Sequence, residues 1–273
     1  MMDDLSDKVC VITGGGSGIG RALAHRFAAA GMRVALGDIE PGPLKSVVDE
    51  LGGDGDRVLG VECDVRSVED VEGLRDATVE RFGTAHVICL NAGVAPIAPL
   101  LETSPDAWRW VVDVNLLGVA YGVHAFGPLL AAQQDGHIVC TASSAGLIDA
   151  PSLGAYGATK HAVVGLAAAL RRELADSRVG VSVVCPGLVN TRIFESERNL
   201  PAGMADPMGG DATAQAYREM IATGCSPDLI AEFVHRAVLD DQFFVIPNSE
   251  LDALIEARID AIRQGFAWRD AAR

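Results

Sequence analysis

The sequence predicts an α/β fold, a doubly wound parallel sheet of about seven strands with helices on both faces. Three observations predict it. Short runs rich in β-branched residues alternate with helical segments along most of the chain, the order a parallel sheet requires. The first run is followed at once by a glycine-rich turn, Gly14-Gly15-Gly16-Ser17-Gly18-Ile19-Gly20, and then by a helical pattern from Arg21 to Ala30. The 273 residues contain no linker, repeat or low-complexity tract, so residues 1–273 are read as a single domain with one sizeable core.

Taken in order, Lys8 to Thr13 (KVCVIT) opens the sheet. Further strand-like runs follow at Arg33 to Asp38, Val58 to Val65, His86 to Asn91, His137 to Ser143, Val179 to Cys185 and Phe243 to Pro247, and a helix from about Leu251 to Gly265 ends the pattern. In such sheets ligands bind beyond the carboxyl ends of the strands, where the glycine turn, Asp38, Asp64, Asn91, Ser143 and Pro186 all fall. The uncharged stretch from Asn115 to Gln134 has nearly the length of a membrane span; carrying His124, three glycines and Pro128, it is read as a buried helix. Five cysteines, Cys10, Cys63, Cys89, Cys140 and Cys185, lie in predicted strands as small buried hydrophobes, and no metal-binding spacing occurs. The formal charge of −15 disfavours nucleic acid and anionic membranes as partners. Met1 to Lys8 is acidic, without a basic or long apolar leader, and a cytoplasmic protein is expected.

The glycine turn carries the first chemistry. Glycines at the start of a helix let backbone N–H groups and the positive helix end approach a pyrophosphate that side chains would obstruct. The spacing, Thr13-Gly14-x-x-x-Gly18-x-Gly20, differs from G-x-G-x-x-G and lacks the Lys-Ser/Thr ending of a phosphate loop that hydrolyses nucleoside triphosphates. A Rossmann-type dinucleotide site is therefore expected. Asp38 ends the second strand eighteen residues beyond Gly20, where a carboxylate can accept hydrogen bonds from adenosine ribose hydroxyls and would repel the extra phosphate of NADP. No lysine or arginine stands at Ser17 or Ile39 to welcome that phosphate, so NAD is preferred. Asp38 could otherwise cap the turn before Pro41, and Asp64 could be a helix N-cap.

The second chemistry lies in Ser143 to Lys160, SSAGLIDAPSLGAYGATK. Tyr156 and Lys160 are four apart, so on a helix they share one face, and Ser143 precedes the tyrosine by thirteen residues. A free phenol titrates near pH ~10, and a nearby ammonium would lower it towards the range of a base at neutral pH. On its own the spacing also describes an exposed tyrosine and lysine on any surface helix.

Taken together, the glycine spacing with Ser143, Tyr156 and Lys160 resembles the short-chain dehydrogenase/reductase family over nearly the whole chain. Further matching positions, in the family's order, are Asp64, Asn91-Ala92-Gly93, Asn115, and Pro186-Gly187 with Thr191. The resemblance implies NAD(P)-dependent oxidoreduction of a CH–OH group, with Tyr156 as general acid/base, Ser143 orienting the substrate oxygen, Lys160 also binding nicotinamide ribose, and Asn115 holding a water behind the lysine. It implies a cofactor site of Gly14, Ser17, Gly18, Ile19, Gly20, Asp38, Asp64, Val65, Asn91, Ala92, Gly93, Tyr156, Lys160, Pro186, Gly187, Val189 and Thr191. It also implies a homo-oligomer, a dimer or tetramer, in which the Asn115 to Gln134 helix meets a subunit neighbour. One departure is Leu90, where the family usually has a second asparagine.

The segments expected to rim the substrate pocket are Val94 to Leu100, Leu147 to Leu153 and Arg192 to Cys225. The first two are apolar apart from Asp149 and Ser152, which fits a lipophilic secondary alcohol or ketone. The third, about residues 192–225 with Met204, Met208 and several glycines, is expected to act as a substrate-binding lid; Arg192 and Arg198 in it could meet a carboxylate on the substrate but more often such arginines stay solvated. Two other readings stay open. A catalytically silent NAD-binding sensor or scaffold protein would keep the glycine turn, though here all four catalytic positions are filled. A sugar-nucleotide epimerase or dehydratase shares the tyrosine and lysine, but such chains are longer and space their glycines differently.

Overall fold

The computed structural model describes residues 2, 4–204 and 211–271. Seven parallel strands, β1 (Val9–Thr13), β2 (Arg33–Asp38), β3 (Val58–Glu62), β4 (Val87–Leu90), β5 (Gly136–Thr141), β6 (Val179–Val184) and β7 (Phe244–Val245), form one sheet in the order β3-β2-β1-β4-β5-β6-β7. The order reverses beside β1, between β2 and β4, and a crevice opens there at the carboxyl ends.

Helices cover both faces, which is why the strands are apolar throughout rather than alternating. The helices are α1 (Gly18–Ala29), α2 (Pro41–Glu50), α3 (Val68–Phe82), α4 (Pro105–Val112), α5 (Gly118–Gln133), α6 (Gly154–Glu173), α7 (Asp211–Ala222), α8 (Pro227–Asp240) and α9 (Asp252–Ala271). On one face α1, α2 and α8 bury Leu23, Phe27, Val47, Ile230 and Val234 against Ile12, Val34 and Val139. On the other, α3 to α6 bury Leu74, Phe126, Leu130 and Val163 against Val11, Ile88 and Ile138.

α4 and α5 are halves of one helix joined by a π turn, Asp113–Leu117, in which the Gly118 N–H reaches back five residues to the Asp113 carbonyl. The helix spanning Pro105–Gln133 is long and apolar enough to cross a membrane. In the fold its inner residues, Gly118, Gly122, Phe126 and Leu130, pack on the sheet while Ala120, Tyr121 and His124 keep solvent contact, so the expected burial holds for one face. Leu90, at the departure from the family pattern, fills the notch at Gly122, where a Cβ would lie 2.1 Å from its Cδ2.

Several boundaries differ from the sequence expectation. β7 pairs over only Phe244–Val245, because it is an edge strand with a partner on one side. The 192–225 segment is not a plain loop. It holds a 3₁₀ stretch, Ile193–Asn199, and α7, and its ends are joined by a parallel bridge between Val189 and Cys225. Met208 lies outside the described residues. The six cysteines are free, with Cys10, Cys63, Cys89, Cys140 and Cys185 buried, and among the described residues no cluster could hold a metal.

Candidate active site

An open cleft runs across the carboxyl ends of the strands. Gly14, Ser17, Gly18, Ile19, Asp38, Asp64, Val65, Asn91, Ala92, Gly93, Ser143, Tyr156, Lys160, Pro186, Gly187, Val189 and Thr191 all line it. Gly20 and Asn115 do not. Gly20 is buried beneath the turn, where a Cβ would stand 2.0 Å from the Gly14 carbonyl oxygen, so its lack of a side chain lets the turn close on α1.

The glycine turn is built for close approach. Gly14 (φ +67°) and Gly18 (φ +51°) occupy the left-handed region, and a Cβ on them would meet Ala92 Cα at 2.9 Å and Thr191 Cγ2 at 3.1 Å. Ser17 stands at the N-cap of α1 without giving a side-chain cap, so the first-turn N–H groups beside the cleft keep their capacity for an anion. Thr13 finishes the frame. Its Oγ1 accepts from the Asn91 and Ala92 N–H groups at 3.0 and 3.2 Å, while Asn91 Nδ2 donates to the Thr13 carbonyl at 3.1 Å.

Asp38 is 8 % exposed and accepts from the Gly16 N–H at 2.8 Å and the Glu40 N–H at 2.9 Å. It therefore does cap the turn that follows, and it still lines the cleft. Burial raises its pKa, opposed by those two N–H groups. Asp64 is not the N-cap of α3. Ser67 takes that position, accepting from the Asp70 N–H, and Asp64 is gripped by Arg66, whose Nε and Nη2 reach its carboxylate at 2.6–3.0 Å. Asp64 titrates below its ordinary value because burial, which raises it, is outweighed by Arg66.

At the far end of the cleft α6 does what the spacing predicts. Tyr156 and Lys160 share a face, with Lys160 Nζ 5.5 Å from the phenol ring centre and donating to the Thr141 carbonyl at 2.9 Å. The expected depression of the phenol is not found. Burial pushes Tyr156 up to about 12, with the Ser143 hydroxyl opposing, and pulls Lys160 down to about 8. The ammonium lies near the ring rather than among the groups that set the phenol.

Asn115 sits in the π turn, fully buried, and its amide is committed. Oδ1 accepts from the Val94 N–H at 2.8 Å, and Nδ2 donates to the Val94 carbonyl at 2.9 Å and to Thr159 Oγ1 at 3.2 Å. A Cβ on Gly93 would come within 3.4 Å of its Oδ1 and 3.5 Å of Lys160 Nζ, so both groups lie beside Gly93.

Sequence reasoning missed Arg66, Glu40, Ser196 and Asn248 and gave Thr13 no role beyond opening the glycine spacing, while Arg198, expected to meet a substrate carboxylate or stay solvated, meets a carboxylate of the chain itself. Arg198 Nε and Asn199 Nδ2 reach Glu40 Oε1 at 2.9 and 3.1 Å from across the cleft. Ser196 Oγ accepts from the Ala95 N–H at 3.1 Å, and Asn248 Oδ1 from the Gly187 N–H at 2.9 Å. Above Tyr156 these contacts gather Ala95, Ile97, Leu153, Phe194, Ala214 and Ile221 into an apolar cluster.

Residues 8–201 match the family model described as short chain dehydrogenase. The chain is 32 % identical over 272 residues to a CLA biosynthesis dehydrogenase/reductase of Lactiplantibacillus plantarum, covering 96 % of this chain and 95 % of that one. It is 33 % identical over 235 residues to the cyclohexanol dehydrogenase of Acinetobacter sp. (strain SE19), covering 86 % and 93 %. A short chain dehydrogenase/reductase from Burkholderia phymatum, solved in complex with NAD, superposes with a TM-score of 0.92 at 36 % identity, covering 96 % of each chain. The parallel sheet, the glycine turn at its switch point and these matches across nearly the full length agree: the chain belongs to the short-chain dehydrogenase/reductase family and is an oxidoreductase acting on CH–OH groups.

Proposed function

We propose that the protein is an NAD-dependent dehydrogenase of a lipophilic secondary alcohol, or reductase of the matching ketone, with Tyr156 as general acid/base. The observation that carries this reading is the convergence of Ser143, Tyr156 and Lys160 under an apolar cluster, at the opposite end of one cleft from the buried carboxylate of Asp38. The cleft suits a dinucleotide: uncapped N–H groups at α1, glycines that leave no room for a Cβ, and a carboxylate at the end of β2. The nicotinamide, when bound, supplies hydride exchange.

The remaining steps belong to the chain. Ser143 orients the substrate oxygen, and Tyr156 Oη takes the proton from an alcohol or gives it to a carbonyl. Lys160 holds the nicotinamide ribose hydroxyls and, with a pKa of about 8, exchanges protons near neutrality. Asn115 holds Val94 and Thr159 in place behind the lysine. Gly14, Ser17, Gly18 and Ile19 receive the pyrophosphate, Asp38 the adenosine ribose, Asp64 and Val65 the adenine, Asn91 to Gly93 the nicotinamide ribose, and Pro186, Gly187, Val189 and Thr191 the carboxamide. Segment 192–225 is the substrate lid. The protein acts in a reducing, cytoplasmic compartment, to which its free thiols are suited, as a homo-oligomer in which α5 faces a neighbour.

The test is the formation of reduced nicotinamide from a panel of secondary alcohols, sterols and terpenols to sugars and hydroxy acids, with NAD and NADP compared. Turnover with NAD, lost by about 10²-fold or more in Tyr156→Phe while NAD still binds, is expected. NAD binding without turnover of any alcohol or ketone would favour a silent sensor, and turnover with NADP alone would overturn the role given to Asp38.

A further inference from the structure

α9 is unlike every other helix of the fold. It leaves the body next to the cleft, where Leu251 lies against Gly187, and none of its described residues is buried. Arg258 Nη1 ties its first half to Asp149 Oδ1 at 2.9 Å, in the loop after β5. Ile255, Ile259, Ile262 and Phe266 recur at intervals of four, three and four, a stripe along one side, with Ile262 53 % and Phe266 55 % exposed. Most helical stability in water comes from packing an apolar face, so this stripe calls for a partner.

The charges indicate which partner. The chain carries −15 overall, so two copies repel across most of their surfaces. Besides the uncharged α5, α9 escapes this, with Asp252, Glu256, Asp260 and Asp270 nearly balanced by Arg258, Arg263 and Arg269. We propose that α9 is a self-association arm that pairs antiparallel with α9 of a second copy of this chain. Placing Ile255 opposite Phe266 and Ile259 opposite Ile262 builds two layers, each repeated by the two-fold axis. The same register sets Glu256 beside Arg263 of the partner subunit, and the two-fold repeats that pair as well. Arg258 faces Gly265 of the partner subunit in this register, so its bond to Asp149 is undisturbed. The overlap, residues 255–266, spans about 18 Å at the rise of a helix. That is short of the roughly 800 Å² per partner of a standard interface, so the association is concentration-dependent.

Sedimentation velocity of the full-length protein over a range of concentrations tests this, comparing wild type with the paired substitution Ile262→Glu and Phe266→Glu. Since α9 has no buried residue, the substitutions leave the body intact, and any association made by the rest of the molecule is common to both proteins. Wild type is expected to reach a species of twice the mass of the variant. Glu256→Arg and Arg263→Glu are each expected to weaken the step by about tenfold, through two symmetric pairs turned repulsive, and their combination to restore it. Equal masses at every concentration, or a combination no better than the single changes, would overturn the proposal. So would a wild type whose stripe binds neutral lipid vesicles while the chain remains unassociated.

Discussion

At the level of single residues, the turn at Gly14, Gly18 and Gly20 is held by a positive φ or a close approach that a side chain would disturb. Gly20→Ala would drive a Cβ to 2.0 Å from the Gly14 carbonyl oxygen, so it is expected to lower NAD affinity by more than tenfold and to destabilise by more than about 1 kcal/mol, checked by calorimetric titration and thermal melting. Arg66 escaped notice although it stands two residues from Asp64, because arginine after aspartate is ordinary and only geometry shows the fork closed on the carboxylate. The phenol was misjudged for a similar reason. Sequence spacing gives the distance to a cation along a helix but not the burial that here drives Tyr156 to about 12 and Lys160 to about 8. A phenol raised in this way holds its proton at neutral pH. Oxidation of the alcohol, which needs the proton accepted, is therefore expected to speed up from pH 6 to 9, while ketone reduction is flat over that range and falls only above it. A pH profile of kcat/KM in both directions checks the pair of signs.

Among the elements, all seven strands were readable to within three residues at their ends, since buried parallel strands are short apolar runs bounded by turn residues. Helix ends were harder. α3 begins where Ser67 accepts from the Asp70 N–H, with Glu69 and Asp70 in its first turn; Ser67→Ala is expected to cost about 1 kcal/mol in chemical denaturation without altering turnover. The π turn between α4 and α5 has no sequence signal at all. It rotates Asn115 into the protein interior, where its amide meets both backbone groups of Val94, and a regular helix would carry the same residue on past them. The bridge between Val189 and Cys225, and the 3₁₀ stretch between them, turn what reads as a long glycine-rich loop into a folded flap. Neither end of that bridge announces the other in the chain.

For the molecule as a whole, the doubly wound topology follows from the alternation of strands and helices, and the sheet order then brings residues from six strand ends to one cleft. The opposite end of the sheet carries a separate liability. His137 is 2 % exposed, its Nε2 2.7 Å from Ser182 Oγ, which in turn donates to the Gln242 carbonyl at 2.6 Å. Burial pulls it down to about 4 from an ordinary 6.5. The unfolded chain thus binds a proton at higher pH than the folded one, so stability is complete above pH 6.5 and is lost as pH falls towards 4, by about 3 kcal/mol at most. Melting temperatures at pH 7 and 4.5 check this, with His137→Gln expected to flatten the slope. At the cleft end, the contact of Arg198 and Asn199 with Glu40 joins residues 158 and 159 positions apart. An ion pair open to water contributes only about 0–1 kcal/mol. If segment 192–225 opens as the lid proposed above, such a clasp would change the balance between shut and open by a factor of about five at most. It would then align the shut state without locking it.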